Sequence, residues 1–109
     1  MTERSGAEAE VAMEYKITAA DRDRALGHEG ITAIGNNQDG WSVSAKGAML
    51  RIERGLAQFY VEDALSGEKA YIAVVREEGK PSYLRTTVNG RWANHLLPLP
   101  SLKECKSID

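Results

Sequence analysis

Between Ser44 and Ala93 the apolar pattern changes period once, and that change limits the fold more than any other feature. Up to Leu56 the apolar residues Ala45, Ala48, Met49, Ile52 and Leu56 recur at helical spacing. That spacing gathers them into one stripe of a helix. From Ala57 onward the pattern alternates, in AQFYVEDA (57–64), KAYIAVVR (69–76) and SYLRTTV (82–88). Alternation sends successive side chains to opposite faces of a strand. The connections LSGE and EEGKP are short, and Asn89-Gly90 tolerates the positive φ of a two-residue hairpin. A return strand begins at Arg91-Trp92-Ala93, and Pro98 and Pro100 end regular pairing. Strands joined this closely form an antiparallel meander.

The helix has its own punctuation. Ser44 can cap it by accepting an orphan N–H of the first turn. Gly55 can take the left-handed conformation that stops it, and Arg51 and Arg54 suit the negative end of its dipole. Gly47 weakens its start by roughly 1 kcal/mol relative to alanine.

Upstream, EYKITAA (14–20) alternates with Tyr15 and Ile17 on one side and reads as a strand. DRDRALGHEG (21–30) reads as a loop, ITAIGN (31–36) as a strand, and NNQDGW (36–41) as a turn. The expected fold is α+β in the order β-β-α-β-β-β-β. It is a curled, mainly antiparallel sheet with one helix packed on one face.

A chain of 109 residues with 42% hydrophobic and 28% charged residues is one globular domain. Residues 13–100 are expected to form it, between a flexible leader (1–12) and a flexible tail (101–109). The formal charge of −2 carries no global signature of a nucleic-acid binder, and residues 13–100 hold 11 basic and 11 acidic side chains. Cys105 is the sole cysteine, which excludes an intrachain disulfide and points to a reducing cytoplasm. No apolar stretch approaches the ~18 residues of a membrane span, so no membrane partner is expected.

The strand faces divide by chemistry. Phe59, Val61, Ile72, Val74, Leu84 and Val88 share the face assigned to the core. Tyr60, Tyr71, Tyr83, Arg85 and Trp92 fall on the other. If the tight turns set the registers, Tyr60 lies near Ala73, Ala73 near Arg85, and Trp92 across from Thr87. Arg85 then leans over small Ala73 toward Tyr60, a contact worth roughly 0.5–2 kcal/mol. The alternative is a second mini-core covered by the N-terminal strands, with Arg85 paired to a carboxylate.

The segments YKIT (15–18), the DRDR loop with HEGIT (28–32), GW (40–41), RIERG (51–55), QFYV (58–61), VVR (74–76), YLRT (83–86), NGRW (89–92) and LLPLP (96–100) occur in a distinctive order. Over roughly residues 14–100 the chain resembles the domain of unknown function 3892 family, which is small, mostly bacterial and uncharacterised. The resemblance implies a compact single α+β domain and assigns no role. The family pattern has one cysteine soon after the first strand and another right after the last proline. Here Ala19-Ala20 stand in the first place and Cys105 lies beyond LPLP, which argues against a paired-cysteine metal or redox site.

Catalytic chemistry has little to build on. Asp21, His28 and Glu29 form a second candidate site, a loop group able to move protons. No CxxC, HxH, HExxH, Walker or GxGxxG spacing is present, so no metal, no cofactor and no enzyme activity are expected. The leading expectation is a noncatalytic interaction module. Its aromatic and Arg85 face would meet a protein partner or form a homodimer, since Tyr, Trp and Arg dominate interfaces. One alternative is a weak single-stranded nucleic-acid binder using Lys69, Arg76, Lys80, Arg85 and Arg91 with nearby aromatics. Another is a small enzyme using His28.

Overall fold

The computed structural model describes residues 13–23 and 25–109. In chain order the elements are β1 (Met13–Lys16), β2 (Ala19–Arg22), a 3-10 turn (Gly27–Gly30), β3 (Ile31–Asn36), β4 (Trp41–Ser44), α1 (Ala45–Glu53), β5 (Ala57–Glu62), β6 (Lys69–Val75), β7 (Tyr83–Val88), β8 (Arg91–Ala93) and β9 (Lys106–Ser107). Among the described residues the fold is α+β with one α-helix, as the change of period implies. The strands divide between two sheets, in the orders β1-β5-β6-β7-β8 and β9-β4-β3-β2. Pairing is antiparallel except for β1 on β5 and β9 on β4.

The division originates inside EYKITAA, which is two strands rather than one. The Ile17 N–H donates to Tyr60 O at 2.7 Å, in the five-stranded sheet. The Thr18 N–H donates to Gly35 O at 2.9 Å, in the four-stranded sheet. The crossing is fixed by Asn36 Nδ2 on Lys16 O at 3.1 Å and by the Asn37 N–H on Thr18 Oγ1 at 3.0 Å. Ala19 and Ala20 are both buried, which a strand with one wet face does not allow.

A strand is also present where only a turn was expected. Trp41-Ser42-Val43-Ser44 pairs with β3, and Val43 is fully buried. Four residues with two serines give too little alternation to be distinguished from the preceding turn.

The core lies between the sheets. Phe59, Val61, Ile72 and Leu84 come from one, Ala20, Ile34 and Val43 from the other, and Ala48 from α1. Full burial of one such aliphatic or aromatic side chain contributes roughly 1.5–3 kcal/mol. Tyr15 bridges the layers, 5.7 Å from the Phe59 ring and 5.5 Å from Trp41. The helix starts as expected: Ser44 accepts from the Gly47 N–H at 3.0 Å. It stops at Glu53, with Gly55 at φ 70° beyond it, so Leu56 falls outside the apolar stripe and is exposed.

After β8 the chain returns through the core. Leu96 is fully buried, and Pro100 O accepts from the Ala20 N–H at 2.9 Å. Residues 101–109, set apart from sequence as a loose tail, then run past Asn37 and along β4 to make β9. Lys106 stands opposite Trp41 and Ser107 opposite Ser42. The leader expected over residues 1–12 lies outside the described residues.

Candidate interaction face

β1 extends the five-stranded sheet at the side of β5, and β2 and β3 lie in the other sheet, across the core. Among the described residues no strand therefore lies over the outer face of the five-stranded sheet, and the 3-10 turn meets the sheet at β7. Tyr60, Tyr71, Tyr83, Arg85 and Thr87 on it are half-buried, and Trp92 is 49% exposed. The N-terminal strands do not cover it, so the mini-core alternative does not hold.

The register on this face is shifted from the one the turns suggested. Tyr60 pairs with Tyr71, not with Ala73, because the ladder closes at Glu62 and Lys69. Asp63 leaves the strand: its Oδ1 accepts from the Leu65 and Ser66 N–H groups at 2.9 and 3.0 Å. A shift of two keeps every side chain on its face. The pairs Ala73–Arg85 and Thr87–Trp92 are as expected.

Arg85 does not lean toward Tyr60. Its Nε donates to Ala93 O and its Nη2 to Asn94 Oδ1, both at 3.1 Å, which secures the end of β8. Its partners are a carbonyl and an amide, so its positive charge is not neutralised by them. The cation over Tyr60 is Lys69, with Nζ 4.7 Å from the ring centroid. Tyr60 and Tyr71 lie 6.1 Å apart, and Glu14 joins them from β1: it accepts from Lys69 Nζ at 2.8 Å and from the Tyr71 hydroxyl at 3.2 Å. The Lys69 hydrogen bond holds the Glu14 carboxyl below its ordinary range, and Glu14 in turn raises Lys69. Lys16 and Glu62 pair beside them at 3.3 Å. The face thus carries aromatic rings among charges of both signs.

The loop group does not assemble. Asp21 Oδ1 accepts from the Leu102 N–H at 3.0 Å, and Glu29 lies 3.8 Å from Lys80. His28 Nε2 is buried and bonded to neither of them. Burial pushes the His28 pKa down, and the Arg85 and Arg22 charges push the same way. That keeps the imidazole neutral but offers it no nucleophile or carboxylate to act with.

One pair escaped sequence reading, because its members lie 32 residues apart with no motif between them. His95 Nε2 is 3.0 Å from Asp63 Oδ2, beside a mostly apolar cavity of about 380 Å³ lined by Val61, Asn94, Pro98 and Leu99. Backbone N–H bonds, the Ser66 one foremost, hold the Asp63 carboxyl far below its ordinary range. An anionic Asp63 fixes the proton on His95 Nε2. His95 Nδ1 is buried without a partner among the described residues. The pair clamps the β5–β6 turn to the segment after β8.

Among the described residues no group of three or more His, Cys, Asp or Glu could hold a metal ion. No helix there is long and apolar enough to cross a membrane. A family model for a protein of unknown function, DUF3892, matches residues 16–100, and the chain belongs to that family. No curated protein and no solved structure matches it.

Proposed function

We propose that this protein is a noncatalytic interaction module, and that the outer face of its five-stranded sheet associates with a second copy of the chain. The observation that carries the reading is the face itself: Tyr60, Tyr71, Tyr83 and Trp92 stand beside Arg85, and among the described residues no strand is laid over them. Aromatic rings and arginine supply most of the binding energy at protein interfaces. The charges favour a like partner. Lys16–Glu62 and Lys69–Glu14 put both signs on one patch, and a two-fold interface needs a patch complementary to itself. Strand spacing and rise give a face of roughly 20 Å by 20 Å, small for a stable interface, so association rises with concentration.

The nucleic-acid alternative has less support. Lys69, Arg76 and Lys80 each lie in an ion pair within the chain, with Glu14, Glu53 and Glu29 respectively. These charges are partly spent before any phosphate arrives.

Light scattering coupled to size-exclusion chromatography tests the reading across a range of concentrations. The wild type should climb from 12.0 kDa toward twice that mass, and Trp92→Ala should stay at the monomer. A wild type that remains monomeric at every concentration, or a Trp92→Ala dimer of undiminished strength, contradicts it. A partner of different sequence would leave the wild type monomeric.

A further inference from the structure

An unpaired strand edge presents a row of donors and acceptors that attracts extended chain. Among the described residues the outer edge of β4 is filled by β9 alone, over two residues. The Lys106 N–H donates to Gly40 O at 2.9 Å and the Ile108 N–H to Ser42 O at 2.8 Å. Just past this pairing the Asp109 carboxylate reaches the N-terminus of α1. The Ser44 N–H donates to its Oδ1 at 2.9 Å, and the Ser44 hydroxyl donates to its Oδ2. Arg51 spans the same corner, with Nη2 on Ile108 O at 3.1 Å and Nη1 on Gly47 O at 3.2 Å.

This seat is shaped for a carboxylate. The helix dipole favours an anion there. The Ser44 hydrogen bonds, with Arg51 nearby, hold the Asp109 carboxyl below its ordinary range. Gly47 completes it: a Cβ at that position would run into the Asp109 carboxylate, and would lie 3.0 Å from Val43 Cγ2. The glycine that weakens the helix makes room for the anion.

The seat is well built, but its occupant is lightly held. Lys106, Ser107 and Asp109 are exposed, and Ile108 is 41% exposed. Little apolar surface is buried by residues 106–109, so backbone pairing and one carboxylate supply most of the grip. Residues 101–103 are tied separately, by the Leu102 N–H on Asp21 and by Asn37 bonded to Ser101 O and the Lys103 N–H. Between the two pieces Glu104 sits at φ 35°, a left-handed conformation uncommon for a residue with a side chain. Cys105 is half-buried, with its Sγ 3.3 Å from Asn37 Oδ1, so it belongs with the anchored piece, and residues 106–109 are the part free to swing off.

We propose that the β4 edge, the N-terminus of α1 and Arg51 form a docking site for an extended acidic peptide of another protein, which pairs with β4 in place of residues 106–109. Main-chain pairing supplies affinity in such strand addition, and a side-chain seat supplies selectivity. Here the seat selects a carboxylate that falls on Ser44, as Asp109 does. The surface is separate from the outer aromatic face, so the two proposals can fail independently.

The test uses the full chain and a labelled nine-residue peptide with the sequence of residues 101–109, its cysteine replaced by serine. Fluorescence anisotropy compares the wild type with a Lys106→Pro/Asp109→Ala chain, in which the proline lacks the N–H that Gly40 O accepts. The double variant should bind the peptide at least tenfold more tightly than the wild type does. A peptide with asparagine in place of its aspartate should bind at least tenfold more weakly to that variant. Equal affinity for the two hosts, indifference to the aspartate, or no binding to either host overturns the proposal. A second measurement needs no variant. In the wild type the Lys106 and Ile108 amides should exchange with solvent at least tenfold faster than those of β3 and β7. Exchange as slow as in those strands shows β9 to be a fixed part of the sheet and overturns it too.

Discussion

The Ile17 N–H and the Tyr60 carbonyl meet at 2.7 Å, and that bond is the last the N-terminal strand makes with the five-stranded sheet. One residue later the chain belongs to the other sheet. Ile17 itself is 1% exposed, wedged where the two layers meet. Ile17→Ala should cost about 2–5 kcal/mol, the range for truncating a buried aliphatic side chain. Denaturant unfolding measures it. A loss under 1 kcal/mol would mean that the crossing does not depend on this side chain.

Thr86 carries a polar obligation inside the core. It is fully buried, and its Oγ1 accepts from the His95 N–H at 3.1 Å. Thr86→Val keeps the shape and strands that N–H, at a cost of roughly 1–3 kcal/mol. Thr86→Ser keeps the acceptor and should lose less. Chemical denaturation of the two variants side by side checks the order, and a valine variant as stable as the serine one would contradict the bond's role.

The pH dependence follows from His28. Its folded pKa lies below its ordinary value because burial, then Arg85 and Arg22, oppose the proton. The unfolded chain therefore takes up that proton first. Stability should fall as pH drops through the unfolded value of about 6.5, and the penalty is complete below the folded value. The lowered carboxyls of Asp63, Glu14 and Asp109 act further down. Their contribution is present above the ordinary carboxylate range and is lost as pH falls through their folded values. Unfolding between pH 7.5 and 5 should accordingly show a slope that His28→Asn flattens. An unchanged slope in the variant would assign the dependence to other groups.

Gly47 offers a sharper contrast. Helix propensity alone expects Gly47→Ala to stabilise by about 1 kcal/mol. The Asp109 carboxylate and Val43 occupy the space that the new methyl needs. Because the tail is lightly held, thermal unfolding should show a gain smaller than propensity alone expects, as the helix improves while the tail contacts are lost and Val43 must shift. A Tm raised by the full several degrees would mean that the seat adds nothing to stability.

What the sequence encodes well is local. The helix between Ser44 and Gly55, the strands after it and the Asn89-Gly90 turn follow from period, cap and turn chemistry, and all are present. The two-sheet architecture is decided at Ile17-Thr18, where neither residue is glycine or proline and nothing in the alternation marks a crossing. β9 is legible only against its partner, since Lys106-Ser107 has no pattern of its own. Tyr60, Tyr71, Tyr83, Arg85 and Trp92 share one face of the sheet because a face depends on parity, which survives a register shift of two. What Arg85 touches was not legible, because Ala93 O and Asn94 come within its reach only once β8 has formed. The Asp63–His95 pair depends in the same way on folding.

The most direct test of the association face reads Trp92 itself. Trp41→Phe leaves Trp92 as the only tryptophan, while an aromatic ring remains beside Tyr15 and Phe59. Trp92 is 49% exposed in the single chain. Its emission maximum should move to shorter wavelength as concentration rises, in step with the doubling of mass. An emission maximum that stays fixed while the mass doubles would put the contact elsewhere on the molecule, and would contradict the account.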